Sequence, residues 1–183
     1  MITKGKTFLM ISLFALTIGL CACSKVTKTE DDLPDYISFN QLTEGYEVEN
    51  AVDDDCVVFV DFKLISGEDI WKTFMTKAGK KQSCCVRIAR YYSTESYFCL
   101  IDLSYEDSFF RVNTSEGVSR EYNYLNHYEI DRKDNDSDDS IMDLYILVDK
   151  EDATYDEIQK SRASSSPYGG IDSYIVYLNE YRP

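Results

Sequence analysis

The segment Cys56-Val-Val-Phe-Val-Asp-Phe-Lys-Leu64 and the segment Ser66-Gly-Glu-Asp-Ile-Trp-Lys-Thr-Phe-Met-Thr-Lys-Ala-Gly79 together decide the fold. The first is an apolar run that ends in alternation, which predicts a strand buried mostly on one face. The second has apolar residues at helical spacing, which predicts a helix over 67–79 with one buried stripe. The residues of that stripe are Ile70, Trp71, Phe74 and Ala78.

The predicted helix has a start signal and a stop signal. Ser66 is a residue type that caps helices, and Asp69 stands where the acid of a capping box is expected. Gly79 and the two lysines after it end the helix. Trp71 lies on the buried stripe, so we interpret it as a core residue rather than as a platform for a ligand.

After Ser83 the pattern changes to alternation, which predicts strands. Cys84, Val86 and Ile88 take one face of the first of them, and Arg87 with Tyr91 takes the other. Further short strands follow, separated by polar turns, which is typical of an antiparallel meander. These strands are predicted over 97–103, 109–112, 120–128, 142–149 and 171–181.

A second short helix is predicted near 154–162, where Thr154 and Glu157 match a capping box. We therefore expect an α+β fold, in which an antiparallel sheet of about six strands is covered by one main helix and this second short helix. Residues 36–183 are expected to form a single domain, since a chain of that length can bury a core.

The first 22 residues match a secretory signal. Lys4 and Lys6 give a basic start, and the apolar run from Phe8 to Leu20 is too short to span a bilayer comfortably. The run ends in Leu20-Cys-Ala-Cys23, which resembles a bacterial lipobox. The resemblance implies cleavage before Cys23 and lipid attachment to its thiol, with two or three acyl chains such as palmitate holding the protein stably.

Cys21 is the rival lipid acceptor, but Leu20 would then stand at the cleavage position, where a small residue is needed. An ordinary cleaved signal and an uncleaved anchor are further alternatives, and the uncleaved anchor would need about 20 apolar residues. Residues 23–35 are mostly polar and charged, which predicts a flexible tether. The expected location is the extracytoplasmic face of a cell membrane, with the membrane contacted through the lipid.

The chain is strongly acidic, with 19 basic and 33 acidic residues and a net charge of −14. Without the leader, which contains two lysines and no acid, 17 basic residues face 33 acidic ones, a net charge of −16. This balance argues against a nucleic-acid partner, because no basic surface is present to release counterions from phosphates. It allows a cationic partner, or it serves solubility alone.

Four cysteines remain besides the anchor: Cys56, Cys84, Cys85 and Cys99. An exported protein permits disulfides, and one alternative is a bridge from Cys84 or Cys85 to Cys99 across neighbouring strands. The alternative that we favour is that they are small buried residues that never pair. The chain has no Cys-x-x-Cys and only one histidine, which argues against a Cys/His zinc site.

The acidic segment 131–141 is the nearest match to a metal site. Asp134, Asp136 and Asp138 occupy positions 1, 3 and 5 of a calcium-binding loop. Asp139 replaces the glycine of position 6, however, and Tyr145 replaces the bidentate acid of position 12. We therefore interpret the segment as an acidic loop in solvent, with calcium binding as the alternative, and expect neither a metal nor a cofactor.

The sequence contains no recognisable set of catalytic residues. His127 is the only histidine, no nucleophile elbow lies near it, and we interpret it as a surface or partly packed residue. Paired carboxylates could serve glycoside hydrolysis, but acids are so abundant that any pair could be chosen. A glycine-rich loop for phosphate is absent from the sequence.

The chain has 15 tyrosines, an unusually high number. Tyr91, Tyr92, Tyr122, Tyr124 and Tyr128 could form one aromatic face of the sheet. If exposed, that face would bind sugars or a protein. If buried, it belongs to the core or lies under a helix, which is the interpretation that we favour.

Several short motifs recur in a recognisable order over residues 56–181. They include Ser66-Gly67, Trp71, Phe74, Val86-Arg-Ile88, Tyr91-Tyr92, Ile101-Asp-Leu-Ser-Tyr105, Tyr122, Tyr124-Leu125, Thr154-Tyr-Asp156, Gly169 and Ile171-Asp172. In this order the chain resembles a family of small lipoproteins from Gram-positive anaerobes that has no assigned activity. The resemblance implies an exported, lipid-anchored α+β domain, and it implies no ligand and no site residue.

The sequence therefore favours a non-enzymatic lipoprotein that binds a protein or glycan ligand at the cell surface. Two alternatives stay open: an envelope hydrolase that uses carboxylates, and an acidic inhibitor of a cationic enzyme. The position of the tyrosines would distinguish these three functions. The tyrosines could cluster in a cleft with two carboxylates, form a flat exposed surface, or be buried in the core.

Overall fold

In a computed structural model of the chain, the structure describes residues 36–42, 45–94, 97–132, 140–164 and 170–182. These ranges contain nine strands, three α-helices and one 3-10 turn, so the predicted α+β class is confirmed. The strands are β1 Val57–Val60, β2 Lys63–Ser66, β3 Cys84–Tyr92, β4 Tyr97–Glu106, β5 Phe109–Thr114, β6 Ser119–Tyr122, β7 Tyr124–Asp131, β8 Ile141–Val148 and β9 Ser173–Tyr181. The helices are α1 Val48–Asp53, α2 Glu68–Gly79 and α3 Tyr155–Ala163, and the 3-10 turn is Phe39–Gln41.

The predicted strand over 56–64 is in fact a hairpin of β1 and β2. Asp61 and Phe62 form its two-residue loop, and both have positive φ, 47° and 64°. Two successive residues of this kind make the tight turn whose twist matches that of the flanking strands. The Asp61 carboxylate holds the turn by accepting hydrogen bonds from the backbone N–H and the hydroxyl of Ser93. The expectation of one continuous strand is wrong here because contacts distant in sequence stabilise a turn that Phe62 does not signal.

Six strands form one sheet in the order β2-β1-β3-β4-β5-β6. Neighbouring strands are antiparallel except β1 and β3, which run parallel. The hairpin strand β2 and the helix α2 lie between β1 and β3 in the chain, and parallel strands need such a crossover. A sheet of six strands is present, as predicted, but the prediction of a single antiparallel sheet is wrong. The β1–β3 pair is parallel, and the strands predicted over 142–149 and 171–181 lie outside this sheet.

A second sheet contains the last three strands in the order β7-β8-β9, all antiparallel. The sequence predicts one strand over 120–128, and the structure divides it between β6 of the first sheet and β7 of the second. Tyr122 enters the main core, whereas Tyr124 packs in the cluster beneath α3. Alternation continues across the break at Asn123, so the period of the pattern does not reveal the change of sheet.

A β-bulge in β9 lets two adjacent residues face the same core. Tyr145 pairs with Tyr177, and the next residue, Ile146, pairs with Ile175, which leaves Val176 as the extra residue. Such an insertion interrupts the alternation of side chains along a strand. Val176 and Tyr177 are consequently both buried in the main core.

The main core lies between the first sheet and a layer made of α2 and the second sheet. Trp71, Phe74 and Ala78 of α2 are buried in it, and Ile70 packs against it, so the predicted apolar stripe is confirmed. The helix α3 places Ile158 against the opposite face of the second sheet. The prediction of one main helix is therefore only roughly matched, because each sheet has a helix of its own.

The outer face of the first sheet is covered by the 3-10 turn and α1. Tyr46 and Ala51 are buried there against Val58, Ala89 and Leu100. The segment 36–55 shows no clear pattern in the sequence, because its few apolar residues are buried by contact with the sheet and not by a regular element of their own.

The start of α2 differs from the prediction. Its N-cap is Gly67, with φ 87°, and no side chain caps it, so the assignment of Ser66 and Asp69 to a capping box is wrong. A Cβ atom at Gly67 would lie 2.6 Å from the carbonyl oxygen of Cys56. The close approach of the start of α2 to the start of β1 therefore requires glycine at the cap.

The predicted capping box of the second short helix is confirmed. The Thr154 side chain accepts a hydrogen bond from the backbone N–H of Glu157, and the Glu157 carboxylate accepts one from the backbone N–H of Thr154 at 2.8 Å. The two residues satisfy two of the amide groups that a helix start leaves free.

Candidate functional site

The described structure contains a groove of about 950 Å³, which we call the edge groove. It lies where the outer strand of the first sheet, β2, meets the outer strand of the second, β9. Its lining residues are Lys63, Leu64, Glu68, Ser140, Asp143, Tyr177, Asn179, Glu180, Tyr181 and Arg182. Clefts of this size are typical of ligand sites, which are preferentially found where structural units meet.

Two hydrogen bonds hold the two strand edges together at one end. The backbone N–H of Glu180 donates to the carbonyl oxygen of Phe62 at 2.8 Å. The backbone N–H of Leu64 donates to the side-chain oxygen of Asn179 at 3.0 Å. The Asn179 side chain thus takes the place of a backbone acceptor for the N–H of Leu64.

The aromatic floor of the edge groove is part of the main core. Tyr177 packs against the rings of Trp71, Phe59 and Tyr145, with centroid distances of 4.8, 4.9 and 5.3 Å. Burial, together with the negative charge of Asp143, raises the pKa of Tyr177. Trp71 is only 3% exposed, which confirms its interpretation as a core residue. These rings give the groove a rigid base.

The histidine of the chain lies beside the edge groove. Its Nε2 is hydrogen-bonded to Oδ1 of Asp143 at 2.6 Å, and its ring stacks on Tyr145 with the centroids 4.5 Å apart. The His127 side chain is 49% exposed, so its interpretation as a surface or partly packed residue is confirmed. Within the described residues no serine, threonine or cysteine is hydrogen-bonded to this ring, as an activated nucleophile would be.

Each acidic side chain of the edge groove already forms an ion pair or a hydrogen bond with another side chain of the protein. Glu68 is paired with Lys72 at 2.6 Å, and Asp143 with His127. Glu180 accepts from the hydroxyl of Ser140 at 2.7 Å. Asp143 and Glu180, which are partly buried, are therefore oriented by their partners, whereas the exposed pair of Glu68 and Lys72 constrains Glu68 little.

The five tyrosines considered in the sequence do not form one face. Tyr91 lies under the layer made by α1, and Tyr122 is buried in the main core. Tyr124 and Tyr128 belong to the cluster beneath α3, and Tyr92 stacks on Tyr97. The idea of a single aromatic surface is wrong, because the chain changes sheet at Asn123. The favoured interpretation, a structural role, is confirmed for Tyr122.

The register of β3 and β4 excludes the proposed disulfides. Cys84 lies opposite Tyr105 and Cys85 opposite Ser104, whereas Cys99 lies opposite Arg90 at the other end of the strand pair. Cys56, Cys84 and Cys99 are buried free thiols, as the favoured interpretation predicts. Burial raises the pKa of each of these three thiols to about 11.

Several residues singled out in the sequence lie outside the described ranges. They are the leader 1–22, the lipid-attachment residue Cys23, the tether 23–35 and the calcium-loop candidates Asp134, Asp136 and Asp138. In the part of the chain that the structure describes, no group of three or more His, Cys, Asp or Glu side chains could hold a metal ion.

Sequence reasoning assigned no role to four residues whose contacts the structure shows: Arg87, Arg90, Asp143 and Tyr177. A signal for the first was present, since Arg87 and Asp102 each interrupt an apolar strand on a face that would otherwise be buried. Charged residues at core positions of two neighbouring strands indicate a cross-strand ion pair. The other three had no local signal, because their neighbours come from distant segments.

None of the helices in the described ranges is long and apolar enough to cross a membrane. Comparisons of the chain with protein-family models, with curated proteins and with solved structures gave no match. Any function of these residues therefore has to follow from their own geometry and chemistry.

Proposed function

We propose that this chain is a lipid-anchored binding protein at the extracytoplasmic face of a membrane, and that it binds an extended polypeptide segment in the edge groove. The observation that carries the proposal is the groove itself, about 950 Å³ between the outer strands of two sheets. The leader pattern and the lipobox-like Leu20–Cys23 support the location, as does the resemblance to small lipoproteins.

An extended polypeptide suits the chemistry of the groove. Strand edges offer backbone N–H and C=O groups, which recognise another backbone without regard to its sequence. Tyr181, which is 38% exposed, offers an aromatic contact at the rim, where tyrosine is favoured in interfaces. Lys63 and Arg182 line the groove together with Glu68 and Asp143, so the walls contain charges of both signs that can fix the register of a bound segment.

Site-specific photo-crosslinking tests the groove. A photoreactive phenylalanine analogue at Tyr181, in the full-length chain in native membranes, should give a discrete adduct with a protein. The matched control places the same analogue at Phe109, an exposed aromatic residue that does not line the groove. Equal adducts at both positions, or none at Tyr181, would contradict the proposed binding surface.

The anchor is tested separately by replacing the lipid acceptor. Mass spectrometry of the mature wild-type protein should find a lipid-modified Cys23 at its N-terminus. The variant Cys23→Ala should leave the membrane fraction, while Cys21→Ala should remain in it. An unmodified thiol at Cys23, or membrane retention of Cys23→Ala, would contradict the proposed anchoring.

A further inference from the structure

A second concavity, which we call the arginine cup, shares no lining residue with the edge groove. Its volume is about 380 Å³, at the lower end of the range for ligand sites. Its lining residues come from β3, the β3–β4 turn, β4, the β5–β6 turn and β9. They are Arg90, Tyr92, Thr94, Tyr97, Cys99, Glu116 and Tyr174.

Arg90 places a positive charge inside the cup. Its Nη2 donates to the carbonyl oxygen of Ile175 at 2.9 Å, and among the described residues it forms no ion pair. Burial raises the pKa of Cys99 to about 11 and that of Tyr174 to about 12, and the positive charge of Arg90 opposes the rise at both residues. Arg90 therefore acts electrostatically on two other residues that line the cup. A guanidinium has five N–H donors, so one bond to a carbonyl leaves capacity for an anionic group.

Glu116 places a negative charge in the same cup. Its carboxylate accepts hydrogen bonds from the hydroxyl of Tyr97 and from the thiol of Cys99, the latter at 3.5 Å. Both donors are uncharged side chains, so they orient the carboxylate without neutralising it. A carboxylate offers about four acceptor positions, which leaves room for a cationic donor.

The two charges share one cavity but form no ion pair with each other, although a direct pair would be the simplest way to neutralise them. Separate protein partners keep them apart. Aromatic rings also line the cup, because Tyr92 and Tyr97 stack with their centroids 6.1 Å apart and the half-buried Tyr174 belongs to the lining. The cup thus offers an anion-binding end, a cation-binding end and an apolar side.

We propose that the arginine cup binds a free α-amino acid, with the carboxylate on Arg90, the ammonium group on Glu116 and the side chain against the Tyr92–Tyr97 stack. A zwitterion carries both charges within a few ångströms and has no net charge, which suits a cup whose own two charges cancel. A simple anion would satisfy Arg90 and leave Glu116 without a cation, and a simple amine would do the reverse.

Isothermal titration calorimetry of the detergent-solubilised full-length protein with the twenty free amino acids tests this proposal. Acetate and ethylamine, the two halves of the charge pattern, are the matched ligand controls. At least one amino acid should bind, and neither control should bind as tightly. Absence of heat with every amino acid would overturn the proposal, as would acetate binding as well as the best amino acid.

Variants assign the binding to the cup. Glu116→Gln and Arg90→Gln should each weaken amino-acid binding about tenfold or more, since each removes a charge-assisted hydrogen bond. The control variants Glu121→Gln and Arg111→Gln alter an exposed ion pair of β5 and β6 outside the cup and should leave binding unchanged.

Glu116 lies in an exposed turn, so we expect the Glu116→Gln variant to fold. This variant tests the site even where Arg90→Gln, which removes the hydrogen bond to the Ile175 carbonyl, unfolds the protein. Circular dichroism verifies the fold of each variant. Unchanged binding by a folded Glu116→Gln variant would overturn the assignment of the ammonium group to Glu116.

Discussion

Arg87 and Asp102 form a two-pronged ion pair across neighbouring strands of the first sheet. The guanidinium Nε donates to Oδ1 at 2.6 Å and Nη2 to Oδ2 at 2.8 Å. The remaining Nη1 donates to the carbonyl oxygen of Ile37 at 2.7 Å, and the rings of Tyr36 and Phe39 each lie 4.8 Å from the guanidinium carbon. A charge that is 98% shielded from solvent is therefore satisfied on every side, and it ties the segment before α1 to the sheet.

The variant Asp102→Ala is expected to lower the free energy of unfolding by about 3–5 kcal/mol, because it leaves the buried Arg87 charge without its partner. Urea unfolding followed by circular dichroism measures the change. The control Glu121→Ala breaks the exposed pair with Arg111 and should cost at most about 1 kcal/mol. Equal losses in the two variants would show that the buried pair contributes no more than a surface one.

The variant Gly67→Ala is expected to destabilise the protein more than Gly117→Ala. Both glycines have φ 87°, so both variants carry a similar backbone strain of about 1–2 kcal/mol. At Gly67 the new Cβ would also lie 2.6 Å from the Cys56 carbonyl oxygen, whereas at Gly117 nothing lies within 4 Å. The clash should add about 1–3 kcal/mol, measured as the difference between the two variants in urea unfolding. A difference near zero would contradict the close approach of α2 to β1.

The capping box of α3 should lose its effect in acid. The backbone N–H of Thr154, with help from Lys150 and the Thr154 hydroxyl, lowers the pKa of Glu157 from 4.5 to about 2. A carboxyl with a lowered pKa in the folded state stabilises the protein fully above its unfolded pKa and loses that effect as the pH falls towards the folded value. The stability difference between wild type and Glu157→Gln should therefore shrink between about pH 4.5 and pH 2. A difference independent of pH in calorimetric melting would contradict this.

The buried thiols should be inert in the folded protein. Burial raises the pKa of Cys56, Cys84 and Cys99 from 9.0 to about 11, and the thiolate is the reactive form. Iodoacetamide at pH 8 should leave all three unmodified in buffer and modify all three in urea, as read by mass spectrometry. Rapid labelling of Cys84 in the folded protein would contradict its burial.

The raised pKa values of Cys56, Cys84 and Cys99 also imply that the stability of the protein declines between about pH 9 and pH 11, because the unfolded chain releases its thiol protons first.

The local parts of the fold were predictable from the sequence because their causes are local. The stripe of Trp71, Phe74 and Ala78 follows from the period of a helix, and the two faces of β3 follow from the period of a strand. The box of Thr154 and Glu157 is a contact between residues three positions apart. Each of these features needs only neighbours along the chain.

The misassigned parts depend on contacts between distant residues. The hairpin loop at Asp61 and Phe62 is held by Ser93, and the cap at Gly67 is dictated by the backbone of Cys56. The change of sheet at Asn123 preserves the alternation of the strand, so no periodic signal marks it. The possible single aromatic face of Tyr91, Tyr92, Tyr122, Tyr124 and Tyr128 is not formed, in part for that reason.

The sequence by itself determined α2, α3 and most of the strand-forming segments, together with the apolar side of α2 and β3, because hydrophobic periodicity depends only on the order of residues along the chain. Only the tertiary structure decided that β1 would run parallel to β3, that the edges of β2 and β9 would meet, and that Arg90 and Glu116 would share a cavity without pairing. The physical reason is that ion pairs and the hydrogen bonds of strand edges act over a few ångströms. Arg90 and Glu116 are 26 positions apart in the chain and come to line one cavity only when the chain has folded.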